Sequence, residues 1–139
     1  MAHILTISPQ FGGLSQILNV DSRVGPKDDC VNDPVDVEVI QRLLVILTPF
    51  NPKTARFGVP AVTRKFDAMT GFWIYRYQQV QYDQRKGGVI DGVVSPAKGA
   101  SYGSGVWTIV TLNGSAKAHA PAEYEQLLRT YSGLPRRGG

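Results

Sequence analysis

One cysteine in 139 residues, Cys30, leaves nothing for it to pair with inside the chain. A small secreted fold stapled by disulfides is therefore excluded. Histidine is nearly as scarce: His3 and His119 stand alone, and with Cys30 they make three scattered nitrogen or sulfur ligands. A closed structural zinc site needs four, usually in close pairs, and no HExxH motif is present for a zinc hydrolase. Long apolar runs are missing as well. Leu43–Leu47 falls far short of the roughly 20 residues of a membrane helix. No phosphate-binding GxxxxGK[ST], dinucleotide GxGxxG or hydrolase GxSxG motif occurs. The start, Met1 to Leu5, lacks the basic and long apolar stretches of an export leader. The expectation is cytoplasmic synthesis, with incorporation into a virion or a wall-associated particle as a possible fate.

What is present describes a folded chain. Hydrophobic residues make up 42% and charged residues 19%, which separates it from disordered sequences. The net charge of +4 is unevenly spread. Residues 1–50 carry three basic and six acidic side chains, whereas residues 51–139 carry twelve basic and five acidic ones. Such a basic half suits an anionic partner. Its charges fall in pairs, such as Arg64-Lys65, Arg85-Lys86 and Arg136-Arg137, without any nucleic-acid-binding signature. Nucleic acid is therefore not an expected partner.

The clearest element starts at Asp33-Pro34. Asp33 is a capping residue, Pro34 fits the first helical position, and Asp36 and Glu38 suit the positive end of the helix dipole. Val37, Ile40, Leu44 and Leu47 recur at helical spacing, and Val39, Leu43 and Ile46 widen the apolar face. Gln41 borders this stripe, positioned to reach the backbone of a neighbouring loop. Pro49 and Pro52 end the helix. A second helix is predicted from about Thr63 to Tyr82, with Phe66, Met69, Trp73 and Tyr77 inward and Phe72 and Ile74 beside them. Gly71 within it points to close packing of another backbone, and Gly87-Gly88 to the helix end.

Around these helices the pattern is less regular. Residues 1–24 read as an N-terminal arm with a short strand at Ile4, Leu5 and Ile7, interrupted by Gly12-Gly13, and Gly25-Pro26 marks a turn. Val89–Val94 reads as two extended pieces around an Asp91-Gly92 turn. Lys98–Gly105 reads as a flexible glycine- and serine-rich loop. Val106, Trp107, Val110 and Leu112 face inward from a short helix or, given their β-branching, a strand, and Asn113-Gly114 stops it. Pro121–Tyr131 forms a last amphipathic helix, with Tyr124, Leu127, Leu128 and Tyr131 on one side. It docks on this chain or on a partner. Residues 135–139 are expected to fray.

Two parts of the chain together resemble the peptidoglycan-binding-like domain, a small three-helix fold. The family's DVxxLQxxL helix is similar to Asp36-Val37-Glu38-Val39-Ile40-Gln41-Arg42-Leu43-Leu44. Its aromatic-Gln pair is matched by Tyr77-Gln78. Its DGxVGxxTWxxLN segment is matched in two pieces, Asp91–Pro96 and Trp107–Asn113, separated by an insertion at residues 97–106. Phe57-Gly58 is present in the first connection, the Asp-Gly usually found there is absent, and Ser95 replaces a glycine. The resemblance covers residues 25–113. It implies a mainly α fold: a compact three-helix domain at 25–114 with short extended segments, an N-terminal arm at 1–24, and a C-terminal helix and tail at 115–139. Val37, Ile40, Leu44, Trp107 and Leu112 would form its core. A unit of about 90 residues is marginal alone and would lean on neighbours.

The resemblance implies a non-catalytic binding or assembly module that targets peptidoglycan of the cell wall or docks in a larger complex. The alternative is a structural component of a phage virion or contractile tail, with the arm and terminal helix gripping protein neighbours or a second copy of the chain. No cofactor or metal is implied. No catalytic residue is assigned: Asp67, Asp83, Asp91, Glu123 and Glu125 form no evident acid pair, and Cys30 with His119 has no nucleophile context. Cys30 reads as a solvent-shielded structural thiol. The candidate ligand-binding residues, at the helix-to-loop junctions, are Phe57, Gly58, Tyr75, Asp91, Gly92 and Tyr102.

Overall fold

Ile4, Leu5 and Ile7, and after Gly12-Gly13 the run Ile17, Leu18 and Val20, supply the apolar and β-branched residues that favour strands. In the computed structural model of the chain, which describes residues 1–84, 89–103 and 105–138, they form an antiparallel hairpin of β1 (Ala2–Phe11) and β2 (Leu14–Val20). Gly12 and Gly13 have φ of 55° and 78°. A two-residue hairpin loop of this kind, with positive φ at both positions, is open to glycine at little cost, which is why two glycines stand there. The register shifts between Thr6 and Phe11, around Pro9, whose missing amide hydrogen suits an irregular stretch of ladder. Ala2, His3, Ile4 and Leu5 are buried in succession, so this end of the hairpin is covered on both faces.

Helix α1 (Pro34–Leu47) begins as its sequence predicts. The Asp33 carboxylate accepts the amides of Val35 and Asp36 at 3.0 and 3.2 Å. Val37, Val39, Ile40, Leu43, Leu44 and Leu47 are buried. A 3-10 turn at Thr48–Phe50 and the short α2 (Pro52–Ala55) follow. Helix α3 (Ala68–Asp83) starts at Ala68 rather than Thr63. Asp67 caps it, accepting the Thr70 amide at 2.8 Å, while residues 63–65 are drawn to Gln41 instead. The space at Gly71 is taken by a ring, not by a backbone: a Cβ there would lie 2.9 Å from Phe66 Cζ. The expected helix end at Gly87-Gly88 and the Arg85-Lys86 pair lie outside the described residues.

The loop expected at 98–105 contains a small antiparallel pair, β3 (Ser101–Tyr102) and β4 (Gly105–Val106); its Ser104 is outside the described residues. Helix α4 (Thr108–His119) then runs through Asn113-Gly114, which does not stop it. Asn113 is fully buried, and its side chain bonds to Leu18 of β2 as well as to the Ile109 carbonyl one turn back in α4, at 2.8 Å. Gly114 admits the Phe11 ring, since a Cβ would come within 2.8 Å of it. The residues expected to link core and tail are thus the second half of α4. Helix α5 (Pro121–Thr130) follows directly and docks on this chain, with Tyr124, Leu127 and Tyr131 buried.

The terminal segment does not fray: β5 (Arg136–Gly138) pairs in parallel with β1, and the Ile4 amide donates to the Pro135 carbonyl at 2.8 Å. Gly139 is outside the described residues. The architecture is therefore a correction to the mainly helical three-helix expectation. Among the described residues, five helices accompany a mixed three-stranded sheet, ordered β2-β1-β5, and the β3-β4 pair. Residues 2–20 are no arm, because their apolar side chains belong to one core shared with α1, α3, α4 and α5. That shared core relieves the marginal burial of a unit of about 90 residues.

Candidate binding groove

Four buried carboxamides set the loops of this fold, and two of them shape the groove region. Gln78 on α3 accepts the Gly92 amide at 2.8 Å. Its Nε2 donates to the Val93 carbonyl at 2.9 Å and to Asp91 Oδ1 and Thr108 Oγ1, both at 3.1 Å. This ties the Asp91–Val93 turn to the start of α4. Asn19 on β2 brackets Ala97, accepting its amide at 3.0 Å and donating to its carbonyl at 2.9 Å. Val24 and Val94 exchange backbone hydrogen bonds at 3.0 and 2.8 Å, closing the other side of the turn.

Between this turn and the β3-β4 pair lies a groove of about 200 Å³, lined by Val89, Asp91, Val93, Ser95, Tyr102, Trp107 and Thr108. The Tyr102 and Trp107 rings stand 4.7 Å apart, tilted by 58°. Trp107 Nε1 is enclosed and has no hydrogen-bond partner among the described residues. Burial raises the Tyr102 phenol above its ordinary pKa, and the Asp91 charge acts in the same direction. The groove thus offers two aromatic rings, one carboxylate and several hydroxyls.

Asp91 and Tyr102 come together in this groove. Gly92 belongs to the same turn, but its amide is spent on Gln78. Phe57, Gly58 and Tyr75 are outside the lining. Phe57 is exposed, with its ring edge-on to Phe72 at 5.9 Å. The Gly58 carbonyl accepts Trp73 Nε1 at 3.0 Å, and Tyr75 is exposed on α3. Trp107, expected in the core, is only half-buried and forms a wall of the groove. Its position beside the glycine- and serine-rich stretch was the available signal. Ser95 and Thr108 carried none.

The motif residues of the resemblance act on the fold. Asp36 is fully buried and accepts the amides of Asp21 and Ser22, both at 3.1 Å. Gln41 accepts the amides of Thr63 and Arg64, both at 2.9 Å, and donates to the Lys65 carbonyl at 3.0 Å. This is the contact with a neighbouring loop expected for it. Cys30 is partly exposed rather than shielded, and His119 ends α4, stacked on Phe50 at 4.9 Å. The two share no hydrogen bond among the described residues. Those residues contain no group of three or more His, Cys, Asp or Glu side chains able to hold a metal ion. Nor do they contain a helix long and apolar enough to cross a membrane. No family model, curated protein or solved structure matches the chain.

Proposed function

We propose that the chain is a non-catalytic binding module that holds a neutral stretch of cell-wall glycan, as found in peptidoglycan, in the Asp91–Tyr102–Trp107 groove. The observation that carries this reading is the pairing of two aromatic rings with a carboxylate in one concave site. A sugar ring has apolar C–H faces and a rim of hydroxyls. The faces suit Tyr102 and Trp107, and the hydroxyls donate to Asp91. The resemblance to the peptidoglycan-binding-like family supports the same ligand class. Asp91, the only charged side chain among the described residues of the lining, disfavours an anionic wall polymer at this point.

The alternative role, as a structural subunit of a virion or contractile tail, drew on a free arm and a detached helix. Both segments instead contribute side chains to this chain's own core. A titration with soluble glycan fragments released from peptidoglycan, read by tryptophan fluorescence for the wild type and Tyr102→Ala and by calorimetry for Trp107→Ala, which loses the reporting indole, tests the proposal. Saturable binding that is lost in Tyr102→Ala and Trp107→Ala, with retention of the wild-type protein on purified sacculi above a charge-matched control, is the expected result. No binding by the wild-type chain refutes it.

A further inference from the structure

Phe57 and Tyr75, which the groove does not use, are aromatic residues 60% and 45% exposed. Phe57 follows α2 and sets its ring edge-on to the half-buried Phe72 of α3, with centroids 5.9 Å apart. Tyr75 lies one turn beyond Phe72, on the solvent side of the same helix. Single exposed apolar side chains need no explanation, but three rings on adjoining elements form a patch.

Cations border these rings. No Asp or Glu occurs between Glu38 and Asp67, a stretch that holds Arg42, Lys53, Arg56, Arg64 and Lys65. Arg42 and Arg64 are paired with Glu38. Lys53 and Arg56 are exposed, one turn apart, and Arg56 Cζ stands 4.8 Å from the Phe57 ring centroid. Arg76, one turn after Phe72, meets Asn51 and Thr54 across a small crevice, which places it on the α2 side of α3. Its Nη1 donates to Gln79 Oε1. Lys53, Arg56 and Arg76 have no ion pair among the described residues. Asp67 is engaged at the start of α3, where it accepts the Thr70 amide and hydroxyl. Asp83 lies about two turns past Arg76.

From this surface we infer that α2 and the exposed side of α3 form a protein-docking site, distinct from the Trp107 groove, whose occupant is an acidic peptide segment with an apolar side chain between its carboxylates. The carboxylates pair with Lys53, Arg56 and Arg76, and the guanidinium groups suit two-bond pairing. The apolar side chain rests on Phe57 and Phe72. The unmatched cations select the sign of the partner. The ring arrangement selects its kind. Single-stranded nucleic acid needs open ring faces on which bases stack. Arg56 takes one face of Phe57, and the ring stands edge-on to Phe72, so this pair offers no such platform.

The test is residue-resolved NMR of the isotope-labelled full chain, titrated with an acetylated, amidated peptide that sets phenylalanines between glutamates (EEFEEFEE). The controls are the same peptide with glutamine for glutamate, the same peptide with serine for phenylalanine, and oligothymidylate for nucleic acid. The expected result is a saturable shift at Phe57, Phe72 and Arg76 with the first peptide and binding of both altered peptides weaker by about tenfold or more. Affinity falls several-fold from about 50 to about 300 mM salt, because exposed ion pairs are screened. Shifts at the Trp107 indole report the groove separately. Arg56→Glu combined with Arg76→Glu weakens binding about tenfold or more. Phe57→Ser, a second variant at an exposed position, weakens it with every charge in place. Absence of saturable shifts, equal binding of the serine peptide, tighter binding of oligothymidylate, or affinity that survives these substitutions overturns the inference.

Discussion

Asn113 and Leu18 are 95 residues apart and pair like two peptide groups: the Leu18 amide donates to Asn113 Oδ1 at 3.0 Å, and Asn113 Nδ2 donates to the Leu18 carbonyl at 2.9 Å. The same Oδ1 accepts the Tyr124 hydroxyl at 2.6 Å, so one side chain joins β2, α4 and α5. Asn113→Ala strands an amide, a carbonyl and a phenol inside the core. The expected cost is about 3 kcal/mol, read as a lower urea midpoint together with faster hydrogen exchange of the Leu18 amide. Asn113→Asp does not rescue it, because the second carboxylate oxygen then faces the Leu18 carbonyl.

This pair also shows where local reading stops. Asp33-Pro34 announced α1 because a cap and a first-turn proline act within one turn of chain. Asn113-Gly114 has the local signature of a turn, and nothing nearby in sequence reveals that a strand 95 residues away engages the amide. Strand β5 was hidden for a similar reason: Arg136–Gly138 has no strand pattern of its own and is ordered by the register of Ile4–Thr6. In the groove, Asp91 and Tyr102 were legible as an exposed turn acid and a loop aromatic. Trp107 was assigned to the core because large aromatics usually go there. Only the fold reveals that its ring walls the groove and that its N–H has no partner among the described residues.

Asp36 makes stability depend on pH in the weakly acidic range. Burial pushes its carboxyl up to about 6, against the opposing pull of the Asp21 and Ser22 amides. The folded chain therefore keeps a proton that unfolded Asp36, with its ordinary pKa of 3.8, has already released. The favourable contribution is full below about pH 4 and is lost as pH rises through about 6, to a total of about 3 kcal/mol. Urea midpoints measured from pH 4 to 7 are expected to show this fall from Asp36, and Asp36→Asn is expected to flatten it. A slope unchanged in the variant assigns the dependence to other groups.

Gln78 links stability to the groove. Gln78→Leu leaves the Gly92 amide and the Val93 carbonyl unpaired and frees Asp91 Oδ1 from one donor. A loss of about 2–3 kcal/mol in chemical denaturation is expected. Glycan affinity is expected to fall even at temperatures where the variant is fully folded by circular dichroism, because the turn that carries Asp91 is no longer held.

The two tryptophans separate fold from function. Trp73 is 2% exposed and its Nε1 donates to the Gly58 carbonyl at 3.0 Å, so its N–H is part of the folded ledger of hydrogen bonds. Trp73→Phe removes that bond, strands a carbonyl and leaves space where the larger ring stood, at an expected cost of about 2–3 kcal/mol. Trp107 Nε1 is enclosed with no partner among the described residues, and its ring faces Tyr102. Trp107→Phe deletes an unpaired donor and keeps an aromatic face, so stability is expected to hold or to rise by a few tenths of a kcal/mol. Glycan binding, followed calorimetrically because this variant loses the reporting indole, is expected to weaken about tenfold, because the smaller ring covers less of a sugar face. The opposite outcome, a destabilised Trp107→Phe with unchanged affinity, would return Trp107 to the core and remove one of the groove's two aromatic walls.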